Sequence, residues 1–156
     1  MQQNEYDVVL LKCVDGDTVD VDIDLGFGIC MKDERVRIMG IDTPESRTRD
    51  KVEDLFGEAA KARVGQLLSG DVVLKTQIAR NGEDMKGKFG RILGDFKIGD
   101  KMLTDILIEE GHAVAYFGGS KKEIAMKHLA NREKLLREGL ISQESYDAAV
   151  ALMEKK

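Results

Sequence analysis

Cysteine, proline and long apolar runs are scarce in this chain, and each scarcity narrows what it can be. Cys13 and Cys30 are the only cysteines among 156 residues, at no spacing that a metal site uses. A domain of this length buries enough apolar surface without a disulfide. Both are therefore read as reduced core thiols, with an internal bridge as the alternative. No apolar run approaches the roughly 18 residues that a bilayer-crossing helix needs, so no membrane partner is expected. Basic charge is not in excess: 24 Lys and Arg stand against 29 Asp and Glu, for a net charge of −5. Coating nucleic acid relies on neutralising phosphates, so that class is disfavoured, whereas a local cationic cleft inside an acidic shell is not. The opening residues, 1–7, lack the basic region and apolar stretch of a signal peptide, and a cytoplasmic location is expected. Repeats, low-complexity tracts and interdomain linkers are absent, and the 42% hydrophobic, 34% charged composition fits one globular domain.

What is present begins with strands. Val8-Val9-Leu10-Leu11 is a short apolar run closed by the turn signal Asp15-Gly16. Residues 19–25 alternate strictly between apolar and acidic, which predicts a half-buried strand with a solvated acidic face. An EF-hand reading of Asp20, Asp22 and Asp24 fails, because Leu25 and Met31 occupy the places of the glycine and the glutamate. Gly26-Phe27-Gly28 turns the chain, and residues 29–41 return as a third strand. Opposed residues of this hairpin should have numbers summing to roughly 54. Asp17 then lies near Arg37, with Asp42 just past the same end of the sheet.

Leu55, Ala59, Ala62 and Leu67 recur at helical spacing and predict a helix over 52–68. A strand at 72–76, a polar glycine-bearing loop at 80–87 and a strand at 89–96 follow. Helices are predicted at 103–110, at 121–137, and from the N-cap Ser142 to the end. Five strands with one helix between the third and fourth predict an α+β fold. The expected form is a closed five-stranded β-barrel of the OB type with about three packed helices and a C-terminal helix.

Two short segments carry the chemistry: Asp15-Gly16-Asp17-Thr18, and the stretch from Arg37 to Asp42-Thr43-Pro44-Glu45. Asp17 and Asp42 with nearby backbone carbonyls form an all-oxygen set, which a hard cation prefers, and calcium tolerates irregular coordination better than magnesium does. The plainer alternative is that Asp-Gly and Asp-Thr-Pro are turn formers. Glu45 follows Pro44, the only proline, whose fixed φ stiffens the approach. A carboxylate so placed can serve as a general base, or be a surface glutamate ahead of a helix. Arg37 lies within an apolar strand and needs a partner; that partner is a phosphate, or Asp17 without catalysis. Arg91, in Lys88-Phe89-Gly90-Arg91, supplies a second guanidinium for bidentate donation to phosphate. His112 and His128 stand isolated and are read as packing or surface residues.

These segments, in this order and spacing, resemble the staphylococcal nuclease (thermonuclease-like) family over residues from about 8 to 139. The resemblance implies an OB-fold nuclease domain at 1–139 with a C-terminal helical extension at 140–156. It also implies a calcium-dependent (Ca2+) hydrolase that cuts DNA and RNA with little sequence preference and leaves 3′-phosphate ends. By position, Asp17, Asp42 and the Thr43 carbonyl match the metal ligands, and Glu45 the general base. Arg37 and Arg91 match the phosphate-gripping pair, and Lys88 and Tyr116 the positions that contact the nucleotide. Phe89 replaces a family tyrosine, the hairpin at 25–32 is longer, and Arg47, Arg49 and Lys51 form a basic stretch able to track phosphate. The rival reading is a catalytically silent OB-fold module that binds single strands or a protein partner. Oligomeric state is not legible in the sequence.

Overall fold

The computed structural model describes residues 4–76, 91–116 and 120–154. Three antiparallel strands open the chain: β1 (Glu5–Asp15), β2 (Thr18–Gly26) and β3 (Ile29–Ile38). Val19, Val21 and Ile23 point inward and are buried, as the alternation on β2 demands. Its acidic face is less solvated than expected. Asp20 is buried beneath Arg35, which donates to both carboxylate oxygens, at 2.9 and 3.2 Å. The hairpin turns at Phe27-Gly28, both at positive φ, the geometry that matches the twist of paired strands. Thr18 pairs with Arg37 and Val19 with Val36, so opposed numbers sum to within one of the expected value.

The third strand stops sooner than its composition suggests. Gly40 takes a left-handed φ of 85°, a conformation that glycine adopts without a steric penalty. The chain is redirected there, and β4 (Ile41–Asp42) leaves the main sheet to pair with β8 (Val114–Ala115). Next comes α1 (Lys51–Leu67), whose first amides are satisfied by the Asp50 side chain, the acceptor for Val52 and Glu53 N–H. Its buried positions are Phe56, Gly57, Ala60 and Val64, whereas of the expected stripe Leu55, Ala59 and Leu67 are half-buried and Ala62 is exposed. The helix is covered on two sides: Val64 packs into the barrel core, while Phe56, Val52, Leu55 and Ala59 join a second cluster with Leu135 and Ile141.

β5 (Val72–Thr76) pairs with β1, and β6 (Ile92–Ile98) pairs antiparallel with β5 and parallel with β3. That last pairing closes the ring β3-β2-β1-β5-β6, so the fold is the five-stranded barrel expected. A two-residue strand, β7 (Lys101–Met102), folds back on β6 and was not foreseen. α2 (Leu103–Glu110) ends at Gly111, which takes a φ of 89° at the cap. α3 (Lys121–Arg137) and α4 (Gln143–Glu154) follow, with Ser120 and Ser142 accepting the first free amides. Tyr146 on α4 meets Phe56 edge to face at 6.1 Å. Arg63 on α1 donates to both oxygens of Glu110, at 2.7 and 2.8 Å, tying α1 to α2. The Arg63 guanidinium holds the Glu110 carboxyl below its ordinary range.

The cysteines depart from expectation. Cys13 is half-buried, but Cys30 is exposed, and neither is bridged. Cys13 stands opposite Val19 and Cys30 opposite Asp24. Five residues of β2 separate the two levels, about 17 Å of strand, well beyond disulfide reach. Among the described residues no helix is long and apolar enough to cross a membrane. Lys88, Phe89, Gly90 and the loop at 80–87 lie outside the described residues.

Candidate active site

The two acid-bearing segments meet because small residues let their backbones approach. A Cβ on Gly16 would stand 3.0 Å from Thr43 Oγ1 and 3.0 Å from Ala60 Cβ. The Asp15-Gly16-Asp17 turn therefore lies flush against Thr43 and α1. Asp15, Asp17, Asp42, Thr43, Pro44, Glu45, Ser46 and Arg47 line one cleft of about 240 Å³. Sequence-predicted Asp17, Asp42, Thr43 and Glu45 thus share one cavity at one end of the barrel.

Arg37 borders it from β3. Its Nη2 lies 3.5 Å from Asp17 Oδ2 and donates to the Ile41 carbonyl at 3.2 Å, while Nη1 donates to the Ile38 carbonyl. An arginine within an apolar strand requires such partners, and here they also hold its guanidinium at the cleft. Arg91 opens into the adjoining pocket with Thr18, Asp20 and Arg35; Asp15 borders both spaces. Tyr116, 40% exposed, lines two grooves beside the cleft. One of these has an apolar floor of Met39, Met102, Ile108 and Ala115, with Arg37 at its edge. Lys88 lies outside the described residues. Arg47 does not run outward as a track: its Nη2 turns back to Asp15 at 3.5 Å, and its amide donates to Asp54.

The acid loop, residues 43–50, has no helix or strand of its own, so side chains and close packing fix it. Ser46 Oγ donates to Asp15 Oδ1 at 2.6 Å, and the Glu45 amide donates to Glu53 Oε1 at 3.0 Å. Beneath it, a Cβ on Gly57 would fall 2.2 Å from the Glu45 carbonyl oxygen. Only a bare glycine lets α1 lie this close.

Three contributors escaped sequence reasoning. His128 on α3 is not a mere surface residue: its Nε2 lies 2.7 Å from Asp42 Oδ2, with the ring only 11% exposed. Arg132, one turn on, donates to Glu53 Oε2 at 2.6 Å. His128, Asn131 and Arg132 share one helical face, and that i, i+3, i+4 spacing was the signal available. The third is Gly57, a glycine where helix propensity argues against one. His112, by contrast, is a packing residue, as expected: it is buried, and desolvation, partly offset by Glu110, pushes its imidazole below the ordinary range.

The side-chain donors of the residues that line the cleft include several carboxylates and the Ser46 hydroxyl, oxygen ligands suited to a hard cation and unsuited to zinc or copper. Among the described residues no three His, Cys, Asp or Glu side chains stand close enough together to cage an ion. A cation held by Asp17 and Asp42 would need further oxygen donors and solvent to complete its shell.

An OB-type barrel with an acid-and-arginine cleft at one end is the class that the fold and the site define. The chain belongs to the family described as staphylococcal nuclease homologue, whose model matches residues 35–145. It is similar to a thermonuclease of Staphylococcus intermedius, 34% identical over 106 residues, which are 68% of this chain and 57% of that protein. Similarity extends to two proteins of Bacillus subtilis (strain 168). Endonuclease YncB is 31% identical over 74% of this chain and 51% of its own length. The SPbeta prophage-derived endonuclease YokF is 32% identical over 70% of this chain and 34% of its own length. The chain thus spans between a third and three-fifths of these curated relatives.

Proposed function

We propose that the protein is a nuclease that hydrolyses phosphodiester bonds of DNA and RNA, with calcium as its cation. The observation that carries this is the convergence of Asp17, Asp42 and Glu45 on one cleft with Arg37 at its edge. The family membership and the names of the relatives support it. Asp17, Asp42 and the Thr43 carbonyl would hold the cation, which supplies positive charge against a phosphate oxygen. Glu45 takes the proton of the attacking water. Arg37 and Arg91 bind the non-bridging oxygens, whose charge must be stabilised as the phosphorus becomes five-coordinate. Water oxygen bonds to phosphorus, the bond to the 5′ oxygen breaks, and that oxygen takes a proton from solvent, leaving a 3′-phosphate. Tyr116 and the apolar-floored groove beside Arg37 suit a nucleobase and sugar.

The test is incubation with single-stranded DNA, duplex DNA and RNA, in calcium, in magnesium and in chelator. Calcium-dependent cleavage with 3′-phosphate ends is expected. Binding without cleavage of any substrate would leave the silent OB-fold module standing instead.

A further inference from the structure

Helix α3 approaches the cleft with one face. His128 Nε2 sits 2.7 Å from Asp42 Oδ2; an ionised carboxylate only accepts, so the ring nitrogen donates. Asn131 Nδ2 donates to the Ala113 carbonyl at 3.3 Å, fixing the helix beside the strand that pairs with Asp42. Arg132 donates to Glu53 Oε2 at 2.6 Å, and the other oxygen of Glu53 accepts the Glu45 amide at 3.0 Å. The guanidinium also lies 5.2 Å from the centre of the Phe56 ring, a cation–π contact that limits its freedom.

We propose that His128 and Arg132 are positioning residues: His128 aims the carboxylate of Asp42, and Arg132, through Glu53, sets the backbone of Glu45. The kinetic part rests on the nuclease reading; the geometric part does not. The acid loop has no backbone ladder to hold it, and a displacement of about 1 Å at a reacting group can cost about a hundredfold in rate. Exposed ion pairs would be too weak for this task. Arg132 and Glu53 are only 19% and 27% exposed, and Glu53 is shared with a main-chain donor. Carboxylates that hold a cation are commonly oriented by such outer partners, whose loss weakens cation affinity about 10–100-fold.

The experiment has two arms. Amide hydrogen exchange at Glu45 is followed in the wild type and in Arg132→Met, Glu53→Ala and Glu53→Gln. Exchange should quicken about tenfold in the first two and less in Glu53→Gln, which keeps an acceptor, while barrel amides such as Val36 stay unchanged. Separately, His128→Ala and His128→Gln are compared for kcat, KM and calcium affinity by calorimetry. His128→Ala should lower kcat and calcium affinity about tenfold or more with little change in KM, and glutamine should restore part of both. Glu45 exchange unchanged in both Arg132→Met and Glu53→Ala overturns the role of Arg132. Glutamine no better than alanine, or calcium affinity unmoved, overturns that of His128. A wild type that cuts no nucleic acid sinks the nuclease reading instead, while the exchange arm still decides the geometry.

Discussion

Replacing Gly57 by alanine sets two calculable effects against each other. Gly57 lies in the interior of α1, where alanine is favoured over glycine by about 1 kcal/mol. The new methyl carbon, however, would fall 2.2 Å from the Glu45 carbonyl oxygen, 2.4 Å from its carbon and 2.7 Å from Ser46 N. Ordinary contact distances are about 3.5 Å, so the loop or the helix must move by about 1 Å. Such overpacking costs roughly 1–3 kcal/mol, which leaves a net loss of up to about 2 kcal/mol. For a chain of this size that lowers Tm by up to roughly 8 °C. The effect on activity should be far larger, on the order of a hundredfold in kcat/KM, because the displaced backbone carries Glu45. Gly65 is the control on the same helix: a Cβ there would meet only Cys13 Sγ, at an ordinary 3.6 Å. Gly65→Ala should be active and slightly stabilised. The assay is a thermal melt beside steady-state cleavage for both variants. If Gly57→Ala cleaves within about threefold of wild type, close packing on α1 does not position the acid loop.

Other expectations follow from the same geometry. Glu45→Gln should reduce kcat by on the order of a hundredfold while oligonucleotide binding, measured by fluorescence anisotropy, persists; unchanged kcat removes Glu45 as the base. Desolvation lowers the His112 imidazole below its ordinary range. The unfolded chain therefore takes up that proton first, and stability falls as pH drops below about 6.5. Urea midpoints at about pH 7 and about pH 5 should differ less in His112→Gln than in wild type; an equal difference in both proteins would refute this. Glu110, held low by Arg63, adds a loss only at more acid pH, as it protonates below its ordinary range. In a thiol-titration assay Cys30 should react fast and Cys13 slowly, since burial pushes the Cys13 thiol up.

The barrel and the pairing of Asp17 with Arg37 were legible because strict alternation fixes both face and register. The observed 3.5 Å contact follows from counting across one hairpin. Strand ends were less legible: residues 39–41 read as continuous strand because nothing in their hydrophobicity shows that Gly40 takes a positive φ. The acid loop itself could be named from Asp42 and Glu45, but not what holds it. Glu53 is only eight residues from Glu45, but the His128 and Arg132 that complete the support act from a helix far along the chain, and long-range pairing leaves little local imprint. Gly57 also went unread, although it left a local signal, since a glycine inside a helix costs stability and so asks for a close approach.

The topology also sets when the cleft can exist during synthesis. Its acids are translated before their holders: Asp42 is held by Val114 of β8 and by His128, and Arg37 is seated beside β6 through its pairing with Leu93. At roughly 5–20 residues per second, several seconds pass between the emergence of the acid segments and that of their holders. Through that interval a nascent chain carries the reactive side chains without the arrangement that would use them. A protein proposed to cut RNA thus lacks an assembled cleft through that interval, while it is attached to the RNA machine that makes it.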